Sequence, residues 1–191
     1  MKLICVILLW ATVQIVTPHV TMPTLYVYAA QSASYHVDVA QRYVGLREYA
    51  NNRGDVIDTW NKYVGSPVGS PYCAAFVSYC IGNGNVKEPR IRTGLATRFI
   101  IPARSIRAEF VLSGQRTVRD GSIVIWRKGN TMFGHVGFVE KQMQRNQFST
   151  IEANTNSGDR GSQRDGNGVY RRVRVIQPFS VFRITHFTEV L

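Results

Sequence analysis

Pro71-Tyr72-Cys73-Ala74-Ala75-Phe76-Val77-Ser78-Tyr79-Cys80 is apolar nearly all round, so residues 73 to 81 read as a helix buried on most of its sides, and Gly82-Asn83-Gly84-Asn85 breaks it. Pro71 stops any upstream helix and places Cys73 in the first turn, where unpaired backbone N–H groups and the helix dipole favour a thiolate, the reactive form of cysteine. Cys80 lies two turns further in and reads as packing. Downstream, Gly134-His135-Val136-Gly137-Phe138-Val139-Glu140 is an apolar strand that presents one imidazole between two glycines. In Thr150-Ile151-Glu152-Ala153-Asn154 the two polar residues Glu152 and Asn154 stand two apart in a strand-like run and are expected on one face, where either can orient the imidazole. A thiol, a base and a polar partner are the parts of nucleophilic catalysis.

Around these segments the pattern is helical first and stranded later. Ser34 is placed to cap a helix carrying Val37, Ala40 and Val44 on one face with Gly45 as its stop. Asn51-Asn52-Arg53-Gly54 is a turn, and Val56, Trp60 and Tyr63 mark a second amphipathic helix ending near Gly65. A short helix is expected from Thr93 to Ile100, and residues 103 to 117 are ambiguous. Strands follow at Ile123–Trp126, Gly134–Glu140, Phe148–Ala153, Val169–Ile176 and Val181–Phe187, with Lys141 to Gln147 as a hairpin-like loop. Helices segregated before an antiparallel sheet predict an α+β domain. The loop from Asn156 to Gly168, rich in Gly, Asp, Asn and Ser, is expected to be a mobile rim of a cleft.

The first residues read as a targeting segment. Met1-Lys2 precedes a largely apolar run from Leu3 to Val16, too short to span a bilayer comfortably, and Ala29-Ala30-Gln31-Ser32-Ala33-Ser34 offers cleavage points. Residues 1–33 are therefore expected to be a signal peptide, with retention as an anchor the alternative, and residues 34–191 to be one domain, secreted, periplasmic or wall-associated, with no stable membrane span once the signal is removed. Removal takes away Cys5 and His19. Cys73 and Cys80 remain, and on one helix they are separated by about 10 Å of rise, which no disulfide bridges. The formal net charge is +11, with 18 of the 23 cations arginine, so anionic partners are expected. Arg171-Arg172-Val173-Arg174 reads as a solvated strand face rather than a nucleic-acid platform, and no nucleic acid is expected as partner.

Other chemistries lack their residues. There is no His-Glu-x-x-His, no His-x-His, no Gly-x-Ser-x-Gly and no Walker loop. No cofactor and no metal are expected.

Gly45-Leu46-Arg47-Glu48, Asn51-Asn52-Arg53-Gly54, the Pro71–Ser78 block, Gly134-His135-Val136-Gly137, Ile151-Glu152-Ala153-Asn154-Thr155 and Asp165-Gly166-Asn167-Gly168-Val169-Tyr170-Arg171-Arg172, taken in this order, resemble the CHAP domain, the cysteine, histidine-dependent amidohydrolase/peptidase family related to other papain-like peptidoglycan hydrolases. The resemblance spans roughly residues 36 to 176. It implies a papain-like fold and hydrolysis of amide bonds in bacterial peptidoglycan, by an N-acetylmuramoyl-L-alanine amidase or a stem or cross-bridge endopeptidase. It further implies Cys73 as nucleophile, His135 as base, and Glu152 and Asn154 as polar partners of the imidazole. Some members carry an acidic calcium loop before the cysteine. Residues 61 to 70 contain no carboxylate, so calcium dependence is not expected. Peptidoglycan and anionic wall polymers are the expected partners. The competing readings are a non-catalytic basic module binding wall polymer or nucleic acid, and a papain-like hydrolase or acyltransferase acting on protein.

Overall fold

A computed structural model of the chain describes residues 35–157 and 166–191. The expected signal segment, the Ser34 cap and most of the 156–168 loop lie outside the described residues. Three helices come first: α1 (Tyr35–Gln41), α2 (Asp55–Tyr63) and α3 (Cys73–Asn83). A 3-10 turn at Ala96–Phe99, a short strand β1 (Ser105–Arg107) and a short helix α4 (Ala108–Leu112) lead into the main strands β2 (Ile123–Lys128), β3 (Gly134–Gln144), β4 (Gln147–Thr155), β5 (Gly168–Val175) and β6 (Phe182–Thr188). The strands form one six-stranded antiparallel sheet in the order β1-β6-β2-β3-β4-β5. The α+β architecture and its antiparallel sheet are as expected from the sequence.

Both faces of the sheet are buried. Successive strand side chains point to opposite sides, which separates Ile123 and Ile125 from Val124 and Trp126 on β2. Ile123, Ile125, Val136, Phe138 and Ile151 pack with the helices, around the fully buried Trp60, Tyr72 and Phe76. Val124, Trp126, Val139, Phe148, Ile184 and Phe187 pack on the other face with Ala108 and Val111 of α4. A strand covered on both sides reads as an unbroken apolar run, and Ile-Val-Ile-Trp is such a run. Helix α3 lies in the helix-side core, with Ala74, Ala75, Phe76, Val77 and Cys80 all at zero exposure, which is why its sequence lacks a polar stripe. Cys73 and Cys80 are free and buried.

Several local expectations are corrected. The first helix ends at Gln41 rather than near Val44, because residues 42 to 45 turn toward β5: the Gly45 N–H donates to the Val169 carbonyl at 2.8 Å with Gly45 at φ +94°. The Thr93–Ile100 helix contracts to a single 3-10 turn, flanked by extended backbone at Leu95 and Ile100. The 141–147 loop is mostly strand, leaving only Arg145-Asn146 between β3 and β4. The ambiguous 103–117 stretch contains β1 and α4. His36 is a core group: it is 1% exposed, its Nε2–H donates to the Gly121 carbonyl at 2.7 Å, and its ring lies 5.0 Å from that of Phe138.

Phe76 sits where α3 meets the sheet, with Trp60 at 5.0 Å and Phe138 at 6.3 Å between ring centroids. Phe76→Ala should cost about 3–5 kcal/mol, read as a lowered denaturant midpoint with unchanged slope.

Candidate active site

Cys73 opens α3, with Tyr72 at the cap position and 8% of the cysteine accessible. The thiol is hydrogen-bonded to the imidazole of His135, the second residue of β3. On its other side the ring donates Nε2–H to Glu152 Oε2 at 2.9 Å. Three of the four residues singled out in the sequence are thus in line: Cys73, His135, Glu152.

Glu152 is wholly buried, and a buried carboxylate is tolerated only when its oxygens are satisfied. Here they are. Oε1 accepts from Thr150 Oγ1 at 2.6 Å and from Arg174 Nε at 2.7 Å, while Oε2 accepts from His135 and from an Arg174 Nη at 2.6 Å. The two Arg174 bonds form a bidentate fork, the strongest guanidinium–carboxylate geometry. Arg174 also reaches Thr155 Oγ1 at 3.3 Å and lies over the Trp126 ring at 5.8 Å. Trp126 pairs with His135 across β2 and β3, with ring centroids 5.1 Å apart.

Register explains the glycines. Gly137 stands opposite Glu152 on β4, and a Cβ there would meet Glu152 Cγ at 2.8 Å and the Ile151 carbonyl oxygen at 2.7 Å. The position must be glycine for the carboxylate to reach His135. The glycine two residues after the histidine is therefore tied to the carboxylate, beyond giving the ring room.

Asn154 does not behave as the alternation predicted. Its φ of +55° and a register shift between Ala153 and Thr155 break the period of two. No hydrogen bond joins Asn154 to His135, and its Oδ1 is buried without a partner among the described residues. Thr155 instead shares the Arg174 network with Glu152. The backbone N–H of Asn154 is bonded to the Tyr72 hydroxyl, which donates to Glu48 Oε1 at 2.8 Å. Glu48 Oε2 accepts the Asn52 N–H at 2.8 Å, so the 45–54 segment is tied to the residue preceding the cysteine. Arg174 is the residue that sequence reasoning missed. Read as solvated, it is 14% exposed in its side chain, while Val173 beside it is 57% exposed.

The electrostatics follow from these contacts. Burial alone would lower the His135 pKa, yet the hydrogen bonds and charges of Cys73 and Glu152 raise it to about 9. Burial alone would raise the Glu152 carboxyl, but Arg174 and the imidazole hold it at about 2. His135 is therefore an imidazolium at neutral pH, beside an ionised carboxylate. Among the described residues, no group of three or more His, Cys, Asp or Glu side chains is placed to hold a metal ion, and no helix is long and apolar enough to cross a membrane.

Residues 61–154 match the family model of the CHAP domain. The chain carries a CHAP domain. The match runs from within α2 to Asn154, so it takes in Cys73, His135 and Glu152, whereas Arg174 lies beyond its end. CHAP domains are in general amidohydrolases or peptidases, and membership implies a peptidoglycan-hydrolase-like function. No curated protein and no solved structure matches the chain.

Stability should record the Glu152 cluster. Arg174→Met strips a buried carboxylate of its guanidinium partner and should cost about 3–5 kcal/mol at pH 7; adding Glu152→Gln should recover part of that loss in a double-mutant cycle. The lowered carboxyl contributes stability that is complete above about pH 4.5 and lost as pH falls toward about 2. The raised imidazole contributes stability that is complete below about pH 6.5 and lost as pH rises through about 9. Urea midpoints across pH should show the acid component vanish in Glu152→Gln and the alkaline component vanish in His135→Gln.

Proposed function

We propose that the chain is an exported cysteine hydrolase that cleaves amide bonds of bacterial peptidoglycan, as a muramoyl-alanine amidase or as a stem or cross-bridge endopeptidase. The single observation that carries the reading is the hydrogen-bonded line Cys73–His135–Glu152 at the start of a buried helix, within a CHAP domain.

In the proposed reaction His135 carries the proton drawn from Cys73, and the resulting thiolate attacks the scissile carbonyl carbon. Backbone N–H groups at the start of α3 hold the oxyanion, since the first turn of a helix has donors without intrahelical partners. The imidazolium then gives its proton to the departing amine, leaving an acyl-thioester on Cys73. Water, deprotonated by His135, hydrolyses the thioester and restores the thiol. Glu152 stabilises the imidazolium and fixes the ring, and Arg174 keeps Glu152 ionised. Asn154 acts through its backbone N–H, by holding the hydroxyl of Tyr72, the residue before the nucleophile. The net charge of +11 supports accumulation on anionic wall polymers.

Mass spectrometry of fragments released from purified sacculi checks the reading and names the bond: new free amino groups are expected with the wild type and none with Cys73→Ala. Full turnover by Cys73→Ala, or cleavage of protein substrates with sacculi untouched, would overturn it. Glu152→Gln should lower turnover on the order of 10²-fold. It should also move the alkaline limb of the rate profile from about 9 toward neutrality, because the imidazolium loses its negative neighbour.

A further inference from the structure

Away from the cysteine, a cavity of about 310 Å³ opens between α4, β6 and the ends of β1 and β2, and Cys73, His135, Glu152 and Arg174 are not among its lining residues. Its charged and titratable lining is Arg107, Arg127, Arg183, His186 and Glu109. Glu109 is already engaged: Arg107 Nε lies 2.9 Å from one of its oxygens and an Arg107 Nη donates to the other at 3.2 Å. Two guanidinium groups are left over.

Their arrangement is unfavourable in itself. Arg127 on β2 and Arg183 on β6 are direct cross-strand partners, and like charges placed opposite one another destabilise a sheet. Arg127 Nε is also buried with no acceptor among the described residues, leaving a desolvated donor unsatisfied. Arg183 spends one Nη on the Ser180 carbonyl at 3.2 Å. The imidazole of His186 registers the local field: burial, Arg107 and Arg127 together hold its pKa below the usual value. One anion seated between Arg127 and Arg183 would supply the missing acceptor and cancel the repulsion.

We propose that this cavity binds a phosphate ester, with the phosphoryl group between Arg127 and Arg183. A tetrahedral phosphoryl group offers acceptor oxygens in more than one plane and so serves guanidinium forks arriving from two strands, whereas a carboxylate offers two oxygens in one plane. The volume is at the lower end of ligand clefts and holds the phosphoryl group together with a small esterified polyol. The site does not depend on the peptidoglycan reading, since hydrolysis can fail while phosphate binds, and the reverse.

The test is thermal unfolding of the full chain at constant ionic strength, with glycerol 3-phosphate, inorganic phosphate or a short glycerol phosphate oligomer replacing chloride. At about ten times Kd, glycerol 3-phosphate should raise Tm by roughly 3–6 °C, and Arg127→Gln and Arg183→Gln should abolish the rise. In chloride alone at low salt, Arg183→Gln should melt no lower than wild type, because repulsion is relieved. That sign separates a binding role from a structural one. Stronger binding of the oligomer than of the monomer assigns the site to a phosphodiester polymer, and the reverse assigns it to a small phosphate ester. A rise of equal size in both Gln variants, or none beyond that in chloride, overturns the proposal.

Discussion

The buried carboxylate of Glu152 is the constraint on which the rest of the site depends. It has no solvent to satisfy it, so it must collect four donors from three strands: His135 of β3, Thr150 of its own strand, and the two-pronged Arg174 of β5. Those contacts exist only in one register of β3, β4 and β5, because a slip of one residue would turn every partner to the opposite face. Gly137 makes the same point from the side of exclusion, since any side chain there would collide with the Glu152 Cγ and the Ile151 carbonyl oxygen.

The sheet's two buried faces divide the work. Helix-side positions such as Ile125, Val136 and Ile151 join the core that fixes α3 and hence the backbone of Cys73. The alternating positions Trp126, His135 and Glu152 carry the polar cluster. A residue in the first set and its neighbour in the second therefore serve different ends, one holding the nucleophile's helix and the other building the acid–base apparatus. The Glu48–Tyr72 hydrogen bond adds a lateral tie, connecting the 45–54 segment to the residue before Cys73 and, through the Asn154 N–H, to the end of β4.

Much of this was legible in the sequence, for physical reasons that can be located. Helix α3 and the Ile123–Trp126 part of strand β2 are apolar nearly all round because they are covered on nearly all sides, and turn residues bound them. Cys73, His135 and Glu152 stood out because each is a chemically costly residue in an apolar setting. Asn154 was misplaced because strand alternation assumes uniform extended backbone, and its left-handed φ voids that assumption; asparagine is among the few residues that adopt it readily. Arg174 was misread because charge in a strand normally marks the wet face. In β5 the assignment is inverted, with Val173 outward and Arg174 inward, and only the position of a buried acid on the neighbouring strand reveals it. The early end of α1 was hidden for a similar reason, since it depends on pairing between Gly45 and Val169 at opposite ends of the domain.

Arg174 also decides where the site keeps its proton. A carboxylate and an imidazole buried together without further charge tend toward the neutral pair, each being pushed by desolvation away from its ionised form. The guanidinium fork removes that option by holding Glu152 at about 2, and the carboxylate in turn, together with Cys73, holds His135 at about 9. The wide gap between these values keeps the proton on the ring and off the acid. Arg174 and Glu152 cancel as a pair, and the imidazolium lies between that pair and the Cys73 sulfur. An arginine that is no partner of the ring thereby sets the protonation of the base through one intervening carboxylate.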